Sequence, residues 1–334
     1  MSPFVIIFCT CLAACAQAAS VPIFHLEEAE EHFERFIQDF NKQYTSEEEK
    51  QARFAIFKQN LEKANSFNAQ SEHARFGITQ FMDLTEDEFV NRYTGLNANF
   101  NITAKCNLVV GADLPKVNVP DSFDWRQHNV VTRVKDQGKC GSCYAFSATG
   151  AVESQYAIKH GRLVEFSEQQ TLDCDKVSHG CGGGLMTDVF SAMIDLGGLE
   201  SEADYPYVAQ VQSCQFQANK AAVRLTGCNK YYIDSQERLK EIVATVGPIS
   251  IAVEASGFHT YHGGVIEDHL CKGGRINHAI LLVGYGTENG KPYWLAKNSW
   301  STTFGEEGYI KFPRGDNYHS CGVMNTLMSS PIVA

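Results

Sequence analysis

Three side chains in this chain of 334 residues are of types that could together do covalent chemistry on a carbonyl. The first is a thiol. The segment Gln137-Gly138-Lys139-Cys140-Gly141-Ser142-Cys143-Tyr144-Ala145-Phe146 leads from a glycine-punctuated loop into an apolar pattern continued by Ala148, Ala151, Val152 and Tyr156. That spacing predicts a helix whose first residue is Cys143. Unpaired N–H groups and the positive end of the dipole at a helix start favour thiolate over thiol. Taken alone, the competing reading is half of a disulfide, the ordinary fate of a cysteine in a secreted chain.

The second and third are an imidazole and an amide. His278 opens the apolar run Ala279 to Gly284, Asn298 closes the run Tyr293 to Lys297, and Asn289-Gly290 between them reads as a hairpin turn. In an antiparallel hairpin the start of one strand lies beside the end of the other, so His278 and Asn298 are expected to be neighbours. An Asn that binds one ring nitrogen fixes the tautomer and leaves the other nitrogen to face a thiol, a nucleophile, base and orienter in Cys/His/Asn form. The bland alternatives are a histidine in a turn and an asparagine ending a strand, and each ignores the pairing that the hairpin imposes.

The elements around these residues divide into two parts. Between about 20 and 118, Phe33, Phe36, Ile37 and Phe40 recur on one helical face. A second helix opens with Ser46-Glu47-Glu48-Glu49 as a capping box and carries Phe54, Phe57, Leu61 and Ala64 on one stripe. These helices are expected to lack a core of their own. Residues 95 to 120 lose helical period, read as an extended linker, and contain the sequon Asn101-Ile102-Thr103. From about 119 to 230 the patterns are helical, with Met186, Val189, Phe190, Met193 and Ile194 on a face ended by Gly197-Gly198. From about 248 they are strand-like, in Ile249 to Val253, Ala279 to Tyr285, Tyr293 to Lys297 and Gly308 to Phe312. A helical lobe followed by a β lobe makes an α+β protein with a cleft between the lobes.

Composition sets the compartment. The 44% hydrophobic and 20% charged residues are ordinary for a globular protein, and the net charge of −11 argues against a nucleic-acid partner. Residues 1–18 read as a secretory signal, an apolar run from Phe4 closing on Ala16-Gln17-Ala18; it is too short to anchor in a membrane. Without Cys9, Cys11 and Cys15, nine of the 12 cysteines remain, Cys106 before residue 119 and eight after it. A zinc site would need paired ligands at short spacing, and only Cys140 and Cys143 approach that, so no metal or cofactor is expected.

Over nearly its whole length after the signal, the chain resembles a papain-family cysteine protease precursor of the cathepsin L-like kind. Gln137 to Phe146 matches the family's nucleophile motif, Asn277-His278-Ala279 its histidine motif and Lys297-Asn298-Ser299-Trp300 its asparagine motif, in the family's order. Glu49, Arg53, Phe57, Asn60 and Asn68 match the long propeptide helix, with Ala64 where Ile is commoner. Gly77, Phe81 and Asp83 match a second propeptide motif, with Thr79 where Asn is usual. Tyr144 and Phe304 stand at usual Trp positions and Ser301 at a usual Gly.

The resemblance implies a two-lobed papain-like fold preceded by a helical propeptide, residues 19–118 inhibiting and residues 119–334 forming the peptidase. Cys143 would attack, His278 act as acid and base, Asn298 orient it, Trp300 cover that pair, and Gln137 help bind the oxyanion. Gly183 and Gly184 would line the substrate strand. Leu185, Met186, Ala252, Ile276, Ala279 and Thr326 would form the pocket for the side chain two before the scissile bond, P2, with apolar residues preferred. It implies bridges Cys140–Cys181, Cys174–Cys214 and Cys271–Cys321. Cys228 is then left over and expected to be a buried free thiol, an intermolecular bridge or one with Cys106 in the precursor being the lesser alternatives. The implied partners are peptide and protein substrates, the chain's own propeptide and cystatin-type inhibitors, for a monomer in the secretory pathway, the lysosome or outside the cell. A transglutaminase-like acyl transferase and an idle binding relative are the competing functions.

Overall fold

The structure is a computed structural model and describes residues 23–96, 105–271, 273–315, 319–324 and 327–334. The signal, Asn101 and Thr326 lie outside them. In the N-terminal unit α1 spans Ala29–Asp39, α2 Glu47–Gln70, β1 Ala74–Phe76 and α3 Glu86–Tyr93. The Ser46 hydroxyl caps α2 by accepting from the Glu49 N–H at 3.1 Å, and Thr85 with Glu88 forms a reciprocal capping box on α3.

This unit does have a small core, contrary to the expectation from its sequence. Ala29, Phe33, Phe36, Phe57, Leu61 and Met82 bury one another, because α1 crosses the first half of α2 and their phenylalanines interdigitate. The second half is different. Ala64, Ala74, Phe76, Phe81, Leu84 and Phe89 are buried in one core shared with the C-terminal part. Half of the unit is therefore self-sufficient and half is completed by docking.

After β2, Asn107–Val110, and β3, Phe123–Asp124, the C-terminal part builds one lobe around α4, Cys143–His160, with α5, Glu168–Cys174, and α6, Met186–Leu196. Nearly every residue of α4 from Cys143 to Tyr156 is buried, so α4 is the axis of the molecule and not an amphipathic surface helix. Its small residues let strands come close: a Cβ on Gly150 would lie 3.1 Å from Leu281 Cδ2. The other lobe comprises β4, Leu225–Tyr232, α7, Gln236–Val246, β5, Ile249–Val253, β6, Tyr261–Gly264, β7, His278–Glu288, β8, Lys291–Lys297, β9, Tyr309–Pro313, and β10, Ser329–Val333. The main sheet runs β2-β4-β10-β5-β7-β8-β9, with β3 beside β7, while β1 pairs with β6 as a separate ribbon. The fold is the expected two-lobed α+β arrangement with a helical N-terminal unit. That unit adds a strand, β1, to the C-terminal part.

The structure pairs Cys140 with Cys181, Cys174 with Cys214, and Cys271 with Cys321. The expectation of a free thiol at Cys228 is corrected: Cys228 is bridged to Cys106. The cause is tertiary. Strand β2 pairs in parallel with β4, Asn107 opposite Asn229, which brings Cys106 alongside Cys228. Among the described residues Cys143 is the free cysteine.

Candidate active site

Cys143 is the first residue of α4, as its sequence context predicts, and its side chain is fully buried. Its sulfur accepts the Ala279 N–H at 3.4 Å, so the thiol lies against the first turn of β7. His278, the residue before, is also fully buried. Hairpin β7–β8 turns at Asn289-Gly290 and returns Asn298 to His278, where His278 Nε2 meets Asn298 Oδ1 at 2.8 Å. The same Oδ1 accepts the Ser299 N–H at 2.8 Å, which fixes the amide's orientation. An acceptor at Nε2 places the ring proton there and leaves Nδ1 as a lone-pair nitrogen. That Nδ1 is buried and hydrogen-bonds to nothing among the described residues.

Trp300 lies over the imidazole, ring centroids 4.4 Å apart and planes 25° from parallel, closing the pair against water. Gln137 is fully buried and held at both ends of its amide. Its Oε1 accepts from Ser299 Oγ at 2.7 Å, and its Nε2 donates to Cys140 O at 2.8 Å and to Tyr93 O at 3.1 Å. Ser299, which holds that amide, stands between the motif's Asn and Trp, and reading the motif for those two passes over it. Ser301 takes φ +66°, the left-handed region, which gives the physical reason for a glycine there; serine carries roughly 1 kcal/mol of strain. Tyr144 is buried with its hydroxyl on Gly180 O at 3.1 Å, and Phe304 packs edge-on to Trp300 at 4.8 Å, so both swaps remain filled aromatic positions.

The cleft is occupied by the chain's own N-terminal unit. Gly184 N–H donates to Gly95 O at 3.0 Å, and the Gly95 and Leu96 N–H groups donate to Asn277 O at 3.2 and 2.9 Å, so residues 95–96 bridge the two walls. A Cβ on Gly183 would lie 2.3 Å from Gly95 O, and one on Gly141 2.8 Å from Thr94 O; side chains there would push the strand out. Leu96 joins Leu185, Met186, Ala252 and Ala279 in one buried cluster, against which Ile276 packs. Phe81 and Phe89 set their edges against Trp300 at 5.5 and 5.1 Å. Gln80 Nε2 donates to Trp300 O at 3.0 Å. Farther out, Glu267 accepts from Ser71 Oγ at 2.6 Å and from the N–H groups of Glu72 and His73.

Occlusion decides the ionisation. Burial pushes the Cys143 thiol up to about 12, against the pull of the N–H groups of Ala279, Tyr144, Gly95 and Cys143 itself. Burial likewise pushes His278 down to about 4, with the Asn298 hydrogen bond opposing. Both groups are therefore neutral at pH 7 while the cleft is filled.

A two-lobed α+β body whose interlobe cleft is filled by the N-terminal part of the same chain has the architecture of a thiol-protease precursor. The chain belongs to the papain family of cysteine proteases: residues 119–331 match the papain family cysteine protease domain, and residues 33–89 match the cathepsin propeptide inhibitor domain. It is 46% identical over 313 residues to a viral cathepsin of Mamestra configurata nucleopolyhedrovirus, covering 93% of this chain and 91% of the relative. It is 41% identical over 320 residues to the viral cathepsin of Orgyia pseudotsugata multicapsid polyhedrosis virus, covering 96% and 97%. Among solved structures it resembles the digestive procathepsin L2 proteinase of Tenebrio molitor larval midgut, with TM-score 0.85, 35% identity and coverage of 91% of this chain and 99% of that one. The recombinant stem bromelain precursor is similar at TM-score 0.79 and 35% identity, covering 91% and 98%. The protein is a cathepsin-like cysteine protease, a hydrolase, made as a latent precursor with an inhibitory propeptide.

Proposed function

We propose that Cys143 is the nucleophile, His278 the base and acid, Asn298 its orienter and Gln137 an oxyanion donor, in an endopeptidase that prefers apolar residues at P2. The observation that carries this is the free Cys143 sulfur at the start of α4, hydrogen-bonded to the backbone of the residue that follows His278. Once the cleft opens to water, the desolvation that holds both groups neutral falls away, and a proton moves from Cys143 Sγ to His278 Nδ1. The thiolate adds to the substrate carbonyl carbon, and the oxygen takes the negative charge between Gln137 Nε2 and the Cys143 N–H. As the C–N bond breaks, His278 gives its proton to the leaving amine. Water, deprotonated by His278, then attacks the acyl-sulfur bond and frees the acid and the thiol. Cys143→Ala in a precursor that remains folded should abolish hydrolysis; retained turnover would remove Cys143 from the role.

The P2 preference is supported by Leu185, Met186, Ala252 and Ala279, apolar and buried around Leu96. Glu254 borders a cavity that Ile276 also lines, and it is a carboxylate the sequence reading did not weigh. Its Oε1 accepts the Ser256 N–H at 2.9 Å and its side chain packs over Gly274, so that oxygen is engaged by backbone. We place the mature start near Val119, the signal at residues 1–18 and the protein in the secretory pathway, on the sequence patterns described above. A cystatin-type inhibitor would enter the same cleft. The resemblance implies release of the propeptide at acid pH, so Edman sequencing of the protein incubated near pH 4 to 5 tests the boundary.

A further inference from the structure

We infer that the segment around residues 105–118 stays on the active enzyme as a second, disulfide-linked chain that widens its sheet at the β4 edge. The inference rests on the mature start near Val119 proposed above. The pro-region is not one unit. Residues 93–96 fill the cleft, whereas the hydrogen bonds and strand pairing of residues 105–115 lie on α6, β4 and α7. They bind the outside of the C-terminal part instead. Lys105 N–H donates to Ser191 Oγ at 3.1 Å and its ammonium pairs with Asp195 at 2.8 Å, both on α6. Strand β2 lies parallel to β4 in register from Asn107 opposite Asn229 to Val110 opposite Tyr232.

The packing continues past the strand. A Cβ on the buried Gly111 would lie 2.9 Å from Arg238 Cγ, so β4 and α7 close tightly on that backbone. Arg238 Nη1 donates to Pro115 O at 3.2 Å, and Val109 and Leu114 pack against the main core. The Cys106–Cys228 bridge makes this contact covalent. A cut near Val119 breaks one peptide bond and leaves the bridge intact. The inhibitory residues before Leu96 would still be tethered, at an effective concentration in the millimolar range, and would keep the cleft filled. They leave only when the chain is also cut on the N-terminal side of Cys106, or when a reductant opens the bridge. In that reduction a dithiol is oxidised to its own disulfide and each cysteine sulfur gains one hydrogen. After the upstream cut, the strand has no reason to leave.

The test is intact mass measurement of the precursor incubated near pH 4 to 5, first without reductant and then, after neutralisation, with dithiothreitol, together with N-terminal sequencing. The expected result is one covalent species carrying two N-termini, which dithiothreitol splits into the enzyme and a peptide that contains Cys106. Loss of that peptide without reductant, with Cys228 alkylated by iodoacetamide, would overturn the inference. An active single chain that begins before Cys106 would refute the Val119 boundary and leave retention of the strand standing. If no self-cleavage occurs, maturation by the chain's own activity fails separately, and the same masses are read after cutting with a trace of pepsin.

Discussion

Gln137 Nε2 donates to the carbonyl oxygen of Tyr93 at 3.1 Å, and Trp300 Nε1 donates to that same oxygen at 3.0 Å. The last residue of α3 thus takes up the side-chain amide proposed to meet a substrate's developing oxyanion. Latency consists of more than covering the thiol. The inhibitor satisfies the donor, bridges both walls of the cleft and removes the water that would let Cys143 and His278 ionise.

Removing that donor separates its two partners. Gln137→Ala should lower kcat by about 10²- to 10³-fold with a smaller change in KM, the usual loss for one oxyanion donor. Ser299→Ala, which frees Gln137 Oε1, should lower kcat less. Steady-state kinetics on the processed enzyme check both, and an unchanged kcat in Gln137→Ala would remove it from the oxyanion role.

The aromatic seal should be measurable in the precursor. Phe89 is fully buried between Phe81, Tyr93 and Trp300. Phe89→Ala should cost about 3–5 kcal/mol, shared between folding of the N-terminal unit and its docking. Peptide hydrolysis by freshly purified precursor at neutral pH should rise well above the wild-type background. No rise would place the seal elsewhere.

The chemistry was more legible in the sequence than the assembly was. A helix beginning at Cys143 and a hairpin joining His278 to Asn298 are local patterns, carried by periodicity and by one Asn-Gly turn. The Cys106–Cys228 bridge was not legible, because its partners are 122 residues apart and β2 is four residues with no distinctive alternation. Helix α7 was passed over although Ser235 caps it and Leu239, Ile242 and Val243 give it a buried face. It lies just where a coarse reading changes from helical to strand-like period. The small core of α1 and α2 was missed for a different reason: two amphipathic stripes do not announce whether they face each other or a third surface.

Acid release of the propeptide should not depend on the Arg53–Glu88 pair. Hydrogen bonds to Arg53 hold the Glu88 carboxyl down to about 2, with burial opposing. A depressed carboxyl contributes stability that is full above the ordinary carboxylate range and is lost progressively as pH falls from that range through about 2. Glu88→Gln, in a Cys143→Ala background to prevent cleavage, should therefore lower the melting temperature at pH near 4.5 about as much as at pH 7, and by less toward pH 2. A deficit already gone at pH near 4.5 would make this pair the trigger.

The proposed substrate preference rests on the pocket around Leu96. Burying an apolar P2 side chain there should gain about 1.5–3 kcal/mol, whereas a cation without a free carboxylate partner loses several. Matched dipeptidyl substrates should show Leu, Phe or Val favoured over Arg by at least about tenfold in kcat/KM. Equal or better turnover of the Arg substrate would mean that Glu254 turns from Ser256 to meet it.

The central claim, that one buried thiol is silenced by the chain's own N-terminal unit, is tested most directly by the rate at which Cys143 reacts with iodoacetamide at pH 7 before and after processing. Burial pushes the thiol well above its ordinary range, so the precursor holds it protonated at pH 7. The account predicts negligible labelling there, and in the processed enzyme rapid labelling of Cys143 with hydrolysis lost in proportion to the label incorporated. Equal labelling rates in the two forms, or hydrolysis that survives complete labelling, would contradict it.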